Sequence, residues 1–310
     1  MGLLSSSIAQ LAYVSESVWG TTPSNPVLKT LRYAPPAVFS GNAETIESGE
    51  MRADRNPTDS ITVGRGAAGN LPFELSYGAY DDLFAGALCG SWDTNVLKNG
   101  TAVKSFTIER KIPTGEATAD YFRYTGMRAN TLSLSVRARE IVKGSFGFVG
   151  KAEAYSDALI SGATYAEAAT EDVLNATSDF ASLGVGTLSG IHVLGIEMNV
   201  DNGLTSHYAV GAMDPIGVAF GLFRVSGRME IYYESADLYE AYLAETPLSL
   251  AFTVGNTTAE KYTVTIPKLK CTTGELSLPG STDPIMVNVE WSALYDSVEE
   301  CSMKIARAVA

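Results

Sequence analysis

The stretch that decides the fold is Phe73-Glu74-Leu75-Ser76-Tyr77, followed by a second block at Asp82-Leu83-Phe84. Both blocks return later, as Met229-Glu230-Ile231-Tyr232-Tyr233 and Asp237-Leu238-Tyr239. The offset is 155 positions (237 − 82) in a chain of 310 residues. A duplicated unit of this length predicts two copies of one domain.

Further pieces of the repeat follow in the same order. The chain repeats Phe106-Thr107-Ile108 as Phe252-Thr253-Val254, and Leu132-Ser133-Leu134 as Leu276-Ser277-Leu278. At about 150 residues per domain, the length also favours two domains. We therefore expect four parts: an N-terminal arm at 1–36, a first domain at 37–155, a linker at 156–190 and a second domain at 191–310. The Ala-rich part of the linker, at 163–174, favours some helix.

Alternation of apolar and polar residues predicts that most of the chain is β-strand. In 132–139, apolar Leu132, Leu134 and Val136 alternate with polar residues. The same period of two runs through three further segments: 192–200, 222–233 and 285–292. One apolar and one polar face is typical of antiparallel sheets that are wetted on one side.

Turn and helix signals complete the expected architecture. Strand-like runs flank Asn99-Gly100 and Asn202-Gly203, and Asn-Gly supplies the positive φ values of a type I′ hairpin turn. Apolar residues at helical spacing predict short helices at 79–88 and 236–243, at equivalent places in the repeat. We therefore predict a mainly β protein with two tandem β-sandwich or barrel domains, each with a short flanking α-helix.

The first 36 residues lie outside the repeat. Pro23, Pro26, Pro35 and Pro36 argue against regular secondary structure there and predict an extended arm. The apolar residues of this arm must be buried on its own domain or on a neighbouring molecule. The candidates for contact between subunits are Leu11, Tyr13, Val18 and Trp19.

Residue patterns for catalysis, cofactors and metals are weak. Gly64-Arg65-Gly66-Ala67-Ala68-Gly69 matches the dinucleotide motif, but a strand pattern follows it where that motif needs a helix, so a mobile glycine loop is the better interpretation. His192 and His207 have no nucleophile motif nearby, and no Cys/His cluster has metal-ligand spacing. We expect no enzyme, and no catalytic, cofactor or metal site.

Charge, hydropathy and cysteine usage narrow the possible partners. Lys and Arg number 22 against 35 Asp and Glu, a formal net charge of −13, which disfavours a protein that grips nucleic acid. No apolar run approaches the ~18 residues that span a bilayer, so no membrane partner is expected. Cys89, Cys271 and Cys301 are widely spaced and odd in number, which predicts buried free thiols in a reducing compartment.

Several motifs held in order resemble a family of phage tail tube (major tail) proteins from phages with long non-contractile tails. None of the motifs is catalytic, and all of them lie in the first half of the chain, so the resemblance extends to the second half only through the repeat. They are Trp19-Gly20-Thr21-Thr22-Pro23, Glu47-Ser48-Gly49-Glu50-Met51-Arg52-Ala53-Asp54-Arg55, Glu74-Leu75-Ser76-Tyr77-Gly78-Ala79-Tyr80-Asp81-Asp82-Leu83, Asn95-Val96-Leu97-Lys98-Asn99-Gly100, Lys104-Ser105-Phe106-Thr107-Ile108-Glu109-Arg110 and Gly144-Ser145-Phe146-Gly147-Phe148.

The resemblance implies a structural protein of the virion, made in the host cytoplasm and built into the phage tail. Such proteins form rings that stack into a tube, with an inner β-barrel to which each subunit contributes strands. Arms and long hairpins reach adjacent rings, and here the loops 52–66 and 111–120 are candidates. The implied partners are other copies of the chain, the tape-measure, tail terminator and tail-tip proteins, and DNA that passes through the lumen without specific binding.

The acidic charge and the duplication fit this role. Like charge keeps DNA from stalling in a channel. The lumen-facing candidates are Glu197, Glu230 and Glu290, with plain outer surface as the alternative, and Arg224 and Arg228 share the face of Glu230.

Rings of this fold commonly hold six single-domain subunits, so two domains per chain predict a trimeric ring with pseudo-sixfold symmetry. A hexamer of chains is the alternative. The competing functions are a capsid decoration or baseplate component and, less well supported, a carbohydrate-binding β-sandwich.

Overall fold

The computed structural model describes residues 4–115, 118–186, 188, 191–255, 259–277, 280 and 284–308. Strands dominate these residues, so the expected mainly β fold is confirmed. The helices are α1 (Asp81–Ala87), α2 (Asp237–Leu243) and a 3-10 turn (Ser6–Ile8). The strands are β1 (Gln10–Ser15), β2 (Val27–Thr30), β3 (Val38–Glu47), β4 (Ser60–Glu74), β5 (Trp92–Asp93), β6 (Val96–Lys98), β7 (Phe106–Pro113), β8 (Ala119–Arg137), β9 (Lys143–Gly150), β10 (Ala152–Ser156), β11 (Thr164–Ala166), β12 (Phe180–Val185), β13 (Val193–Asp201), β14 (Thr205–His207), β15 (Gly217–Ala219), β16 (Arg224–Tyr232), β17 (Leu248–Gly255), β18 (Lys261–Cys271), β19 (Glu275–Ser277), β20 (Met286–Ala293) and β21 (Lys304–Ala308).

The two halves of the chain pair their strands in the same order. In the first half the antiparallel order is β3-β4-β9-β8-β7-β1. In the second half it is β13-β16-β20-β18-β17-β12. A short helix follows β4 in one half and β16 in the other. The repeat in the sequence therefore corresponds to a repeated strand order.

One detail of the repeat is out of register. The long strand β8 corresponds to β18 and β19 together, because both pair with β20. Across the sheet, Ser135 of β8 is level with Glu74 of β4, with β9 between them. In the same way, Glu275 of β19 is level with Glu230 of β16, the repeat partner of Glu74, with β20 between them. Leu276 is therefore level with Val136 and not with Leu132, which corrects the expected match. Leu278 lies outside the described residues.

A single sheet joins the halves. Residues 131–137 of β8 pair with 195–201 of β13, and β6 pairs with the C-terminal β21. The core is also shared, since the rings of Phe84 and Tyr262 lie 5.8 Å apart at an angle of 67°. Within the described part of the chain the sheet does not close on itself: β3 pairs only with β4, and β19 only with β20. The boundaries of two separate domains stay a prediction.

Burial follows the predicted alternation. Ile196, Met198 and Val200 of β13 are buried, as are Leu132, Leu134 and Val136 of β8. Removing such apolar surface from water stabilises the fold by roughly 25 cal/mol per Å². The polar residues between them therefore lie on the opposite, wetted face of the sheet.

Both expected Asn-Gly hairpins are wrong. The strand before Asn99 pairs with β5 and β21, and the strand before Asn202 pairs with β8 and β16. Of these two dipeptides, only Gly203 has a positive φ, 57°. The strand after Asn99-Gly100 is β7, which pairs with β1 and β8. The strand after Asn202-Gly203 is β14, which pairs with β15 in a separate two-stranded sheet.

Three other expectations for loops change as well. The glycine motif at 64–69 lies inside β4 and is not a mobile loop. The expected linker contains β11, which runs parallel to β2, and β12, which pairs with β17. Its Ala-rich part at 163–174, where some helix was expected, has none.

Candidate functional site: the polar sheet face and the N-terminal segment

The polar face of the joined sheet brings the three lumen candidates together. Cross-strand pairing sets Ser135 beside Glu197, Glu197 beside Arg228, and Arg228 beside Glu290. Directly opposed residues on one face of a sheet have neighbouring side chains. Glu197 and Glu290 are exposed. In this row, one carboxylate therefore lies on each side of the Arg228 guanidinium.

Glu230 lies on the same face but its charge is paired. Its Oε2 is 3.0 Å from Nη2 of Arg137, and its Oε1 is 3.6 Å from Nη2 of Arg228. Sequence reasoning named Arg228 but missed Arg137, although Arg137 stands at a polar position of the alternation in 132–139. The charge on this face is mixed, and only Glu197 and Glu290 remain as exposed acids of the three candidates.

The polar face offers little space for a bound molecule. The hollow between β8, β13 and β16 has a volume of about 10 Å³. That is room for one water at most. Among the residues described, no group of three or more His, Cys, Asp or Glu side chains could hold a metal ion.

The N-terminal segment is part of the sheet and not a free arm. β1 pairs with β7 along six residues and with β2 along two. Leu11 and Tyr13 are buried in the core of their own chain. The expectation that the first 36 residues lack regular secondary structure is therefore wrong, because the four prolines lie outside β1 and β2.

Trp19 also packs on its own chain, whereas Val18 stays open. The Trp19 Nε1 donates to Gly126 O at 3.0 Å, and its ring lies 5.4 Å from the cationic groups of both Arg128 and Lys151. Val18 is 63% exposed. Contact of Val18 or Trp19 with a neighbouring subunit stays a prediction.

Glu16 anchors this segment, and sequence reasoning missed it. Its Oε1 accepts hydrogen bonds from Thr107 Oγ1 and Gly126 N, at 2.9 and 2.8 Å. Its Oε2 accepts from Gly20 N and Ser105 Oγ, each at 2.8 Å. No short motif marks such a residue, because all but one of these donors come from distant parts of the chain.

Tyr13 and Lys29 fix the segment to α1. The Tyr13 hydroxyl donates to Asp82 Oδ2 at 3.1 Å, and Lys29 Nζ lies 2.5 Å from the same oxygen. Burial by itself raises the pKa of Asp82, but the hydrogen bond and charge of Lys29 outweigh it and hold that pKa below its usual value. Burial, and then the nearby Asp82, raise the pKa of Tyr13 well above its ordinary value.

The β3–β4 hairpin is the most exposed extension of the first half. Ile46, Met51 and Ile61 near its tip are all more than half exposed. Apolar side chains grouped on an exposed hairpin are a candidate surface for contact with another protein. Of the expected loop at 52–66, residues 52–59 lie in the connection between β3 and β4, and 60–66 belong to β4. Of the second expected loop, at 111–120, residues 116–117 lie outside the described residues.

The histidines and cysteines are the remaining reactive side chains. His192 is exposed, and its Nδ1 lies 2.6 Å from Glu234 Oε1. Cys89, Cys271 and Cys301 are free and buried, as expected. Burial raises the pKa of all three thiols, and a protonated thiol is a poor nucleophile.

In the described residues we find no helix both long and apolar enough to cross a membrane. Comparison with curated proteins gave no match. A family model described as phage tail tube protein matches residues 6–293, nearly the whole chain. This family is structural, and its members are parts of the virion tail. The β-rich fold, the repeated strand order and this match agree that the chain belongs to the phage tail tube protein family.

Proposed function

We propose that three copies of this tail tube subunit form one ring with pseudo-sixfold symmetry, and that such rings stack into the channel through which the genome leaves. The observation that carries the proposal is one sheet that runs through both halves in the order β3-β4-β9-β8-β13-β16-β20-β19. It consists of two four-stranded strips of the same order. Each strip corresponds to one position of a six-part ring.

Stoichiometry follows from the duplication. If each strip is one sixth of the ring, then three chains close it and six chains are too many. Closing the sheet across subunits also removes its two open edges, which would otherwise pair without control. The tape-measure, tail terminator and tail-tip proteins are the further partners of such a tube.

The polar sheet face suits the channel side. Its opposite face carries the shared core, so only this face is free to line a water-filled lumen. Exposed Glu197 and Glu290 repel DNA phosphates, and Arg228 between them limits the depth of the negative potential. DNA then slides without specific binding.

Electron microscopy of the purified chain tests the assembly. We expect stacked rings with a central channel, at high concentration or on a tail-tip nucleator. A chain that stays monomeric under both conditions contradicts the proposal.

Charge reversal tests the channel face. Glu197→Lys with Glu290→Lys should leave tubes intact but slow DNA ejection, because new cations hold phosphates. The matched control is Glu167→Lys with Glu171→Lys, two exposed acids outside the joined sheet. Equal ejection rates in both double variants would show that the polar sheet face does not line the lumen.

A further inference from the structure

The two outer edges of the eight-stranded sheet have no partner strand among the described residues. At one edge, 270–277 pair only with β20. At the other, 34–38 lead into β3 and lie beside β4, where Ala34 N donates to Pro72 O at 2.9 Å. We call the pairing of 131–137 of β8 with 195–201 of β13 the β8–β13 seam. It is a template for the contact that each open edge makes with another copy of the chain.

The repeat relates the open edges to that seam. Glu275 is level with Ser135 of β8, as shown by their pairing with the equivalent Glu230 and Glu74. Phe39 is likewise level with Val200 of β13. The edge 270–277 is therefore the counterpart of the β8 side of the seam, and β3, from Val38 onward, is the counterpart of the β13 side.

An apolar side chain at the open edge is exposed, whereas its equivalent at the β8–β13 seam is buried. At the intact seam, Val136 and Ile196 are 4% and 2% exposed. Leu276 is the equivalent of Val136, and at the open edge it is 47% exposed. This position is thus buried where the seam is formed and open where it is not.

The open β3 edge has few free main-chain groups. Pro35 and Pro36 have no N–H to donate. Phe39 O already accepts from the Tyr124 hydroxyl at 3.0 Å, and Gly41 N donates to Glu153 Oε2 at 2.8 Å. In the second half the equivalent of Gly41 N is Asn202 N, which donates to Asn130 O. Glu153 thus takes the place of a partner strand and sets where pairing ends.

We infer that 34–38 of one chain pack antiparallel against 270–277 of the next copy, and that this seam is held by side chains more than by main-chain hydrogen bonds. The β8–β13 seam pairs seven residues on each strand. The seam between chains offers far fewer donors, so it is the weaker of the two kinds of seam in the ring. This inference rests on the ring proposed above and adds its interface.

Disulfide trapping tests the interface. Val38 is the equivalent of Asn199, which pairs with Ser133, and Thr273 lies at the level of Ser133. The double variant Val38→Cys with Thr273→Cys should convert monomer into covalent dimer and closed trimer on oxidation of assembled rings. The matched control, Val38→Cys with Val298→Cys, should stay monomeric, since Val298 is exposed in the connection between β20 and β21 and belongs to neither edge.

Hydrogen exchange on the unmodified chain tests the same interface without any substitution, so the test holds even if the cysteine variant misfolds. On assembly, amides of 270–277 should gain protection, those of 34–38 should gain less, and those of 131–137 should not change. Rings without this gain, or rings in which the control pair links and the designed pair does not, overturn the interface but leave the tube function standing. Failure to form rings at all contradicts the tube function itself.

Discussion

At the scale of single residues, Asn202 connects the two halves. It is buried, and its Nδ2 donates to Ala87 O at 2.8 Å and to Ala129 O at 3.0 Å. Its Oδ1 accepts from Cys89 Sγ at 3.6 Å. One amide at the end of β13 thus binds the end of α1 and the middle of β8.

Replacing Asn202 with Ala should destabilise the folded chain by about 1–3 kcal/mol, because two buried carbonyls lose their donor. The measurement is urea unfolding of the monomer. Asn199→Ala is the control, since Asn199 is exposed on the same strand and should cost about 0.5 kcal/mol or less. Equal losses in both variants would contradict this role for Asn202.

Ionisation of Tyr80 makes the stability of the folded chain depend on pH in the alkaline range. Burial raises its pKa to about 12, and its hydroxyl donates to Arg32 O at 2.9 Å. The unfolded tyrosine has a pKa of about 10, so the neutral form is favoured in the folded chain. Its contribution is complete below pH ~10 and is lost as the pH rises through about 12.

Thermal or urea unfolding from pH 8 to 12 tests this. Stability should fall above pH ~10, and Tyr80→Phe should fall less steeply because it removes one titrating hydroxyl. The comparison at pH 8 gives the separate cost of the lost hydrogen bond. Parallel curves for the two proteins over the alkaline range would rule out the contribution of Tyr80.

At the scale of elements, the N-terminal segment contributes to folding before assembly. β1 covers the edge of β7, and Glu16 ties the following turn to β7 and β8. A stacking role is therefore confined to the parts that stay exposed, such as Val18.

Leu11→Ala should destabilise the monomer by about 2–5 kcal/mol, as expected for a buried leucine. Val18→Ala, at 63% exposure, should change it by about 0.5 kcal/mol or less. Denaturant unfolding of both variants checks this. If the Leu11→Ala monomer is as stable as the parent, the result would contradict the packing of this segment on its own chain and favour the extended arm.

The strand faces were predictable from sequence and the long-range pairings were not. Alternation alone identifies Ile196 and Met198 as buried, because period two follows from local backbone geometry. The Arg137–Glu230 pair depends on two registers, β8 against β13 and β13 against β16, and it joins residues 93 positions apart (230 − 137).

The hairpin errors have a physical cause. Asn99 Oδ1 accepts from Ser302 N and Met303 N, at 2.8 and 3.0 Å, and the amide of Asn202 binds α1 and β8. In both places tertiary hydrogen bonds outweigh the local preference of Asn-Gly for a tight turn. The partners lie too far away in sequence for a turn motif to indicate them.

At the scale of the whole molecule, the proposed trimeric ring places each chain at two unequal positions. The first half carries the exposed β3–β4 hairpin, whereas 202–223 of the second half fold back: Arg65 N donates to Met213 O at 2.8 Å, and Arg128 Nη1 donates to Val218 O at 2.7 Å. A ring of three such chains has six similar strips but only threefold symmetry. Contacts between stacked rings are then expected mainly from the first half.

The number of chains in one isolated ring tests the central claim most directly. Native mass measurement or symmetry determination by cryo-electron microscopy gives that number. We expect three chains and threefold symmetry, with six similar strips around the channel. Six chains per ring would contradict the assignment of both halves to one ring.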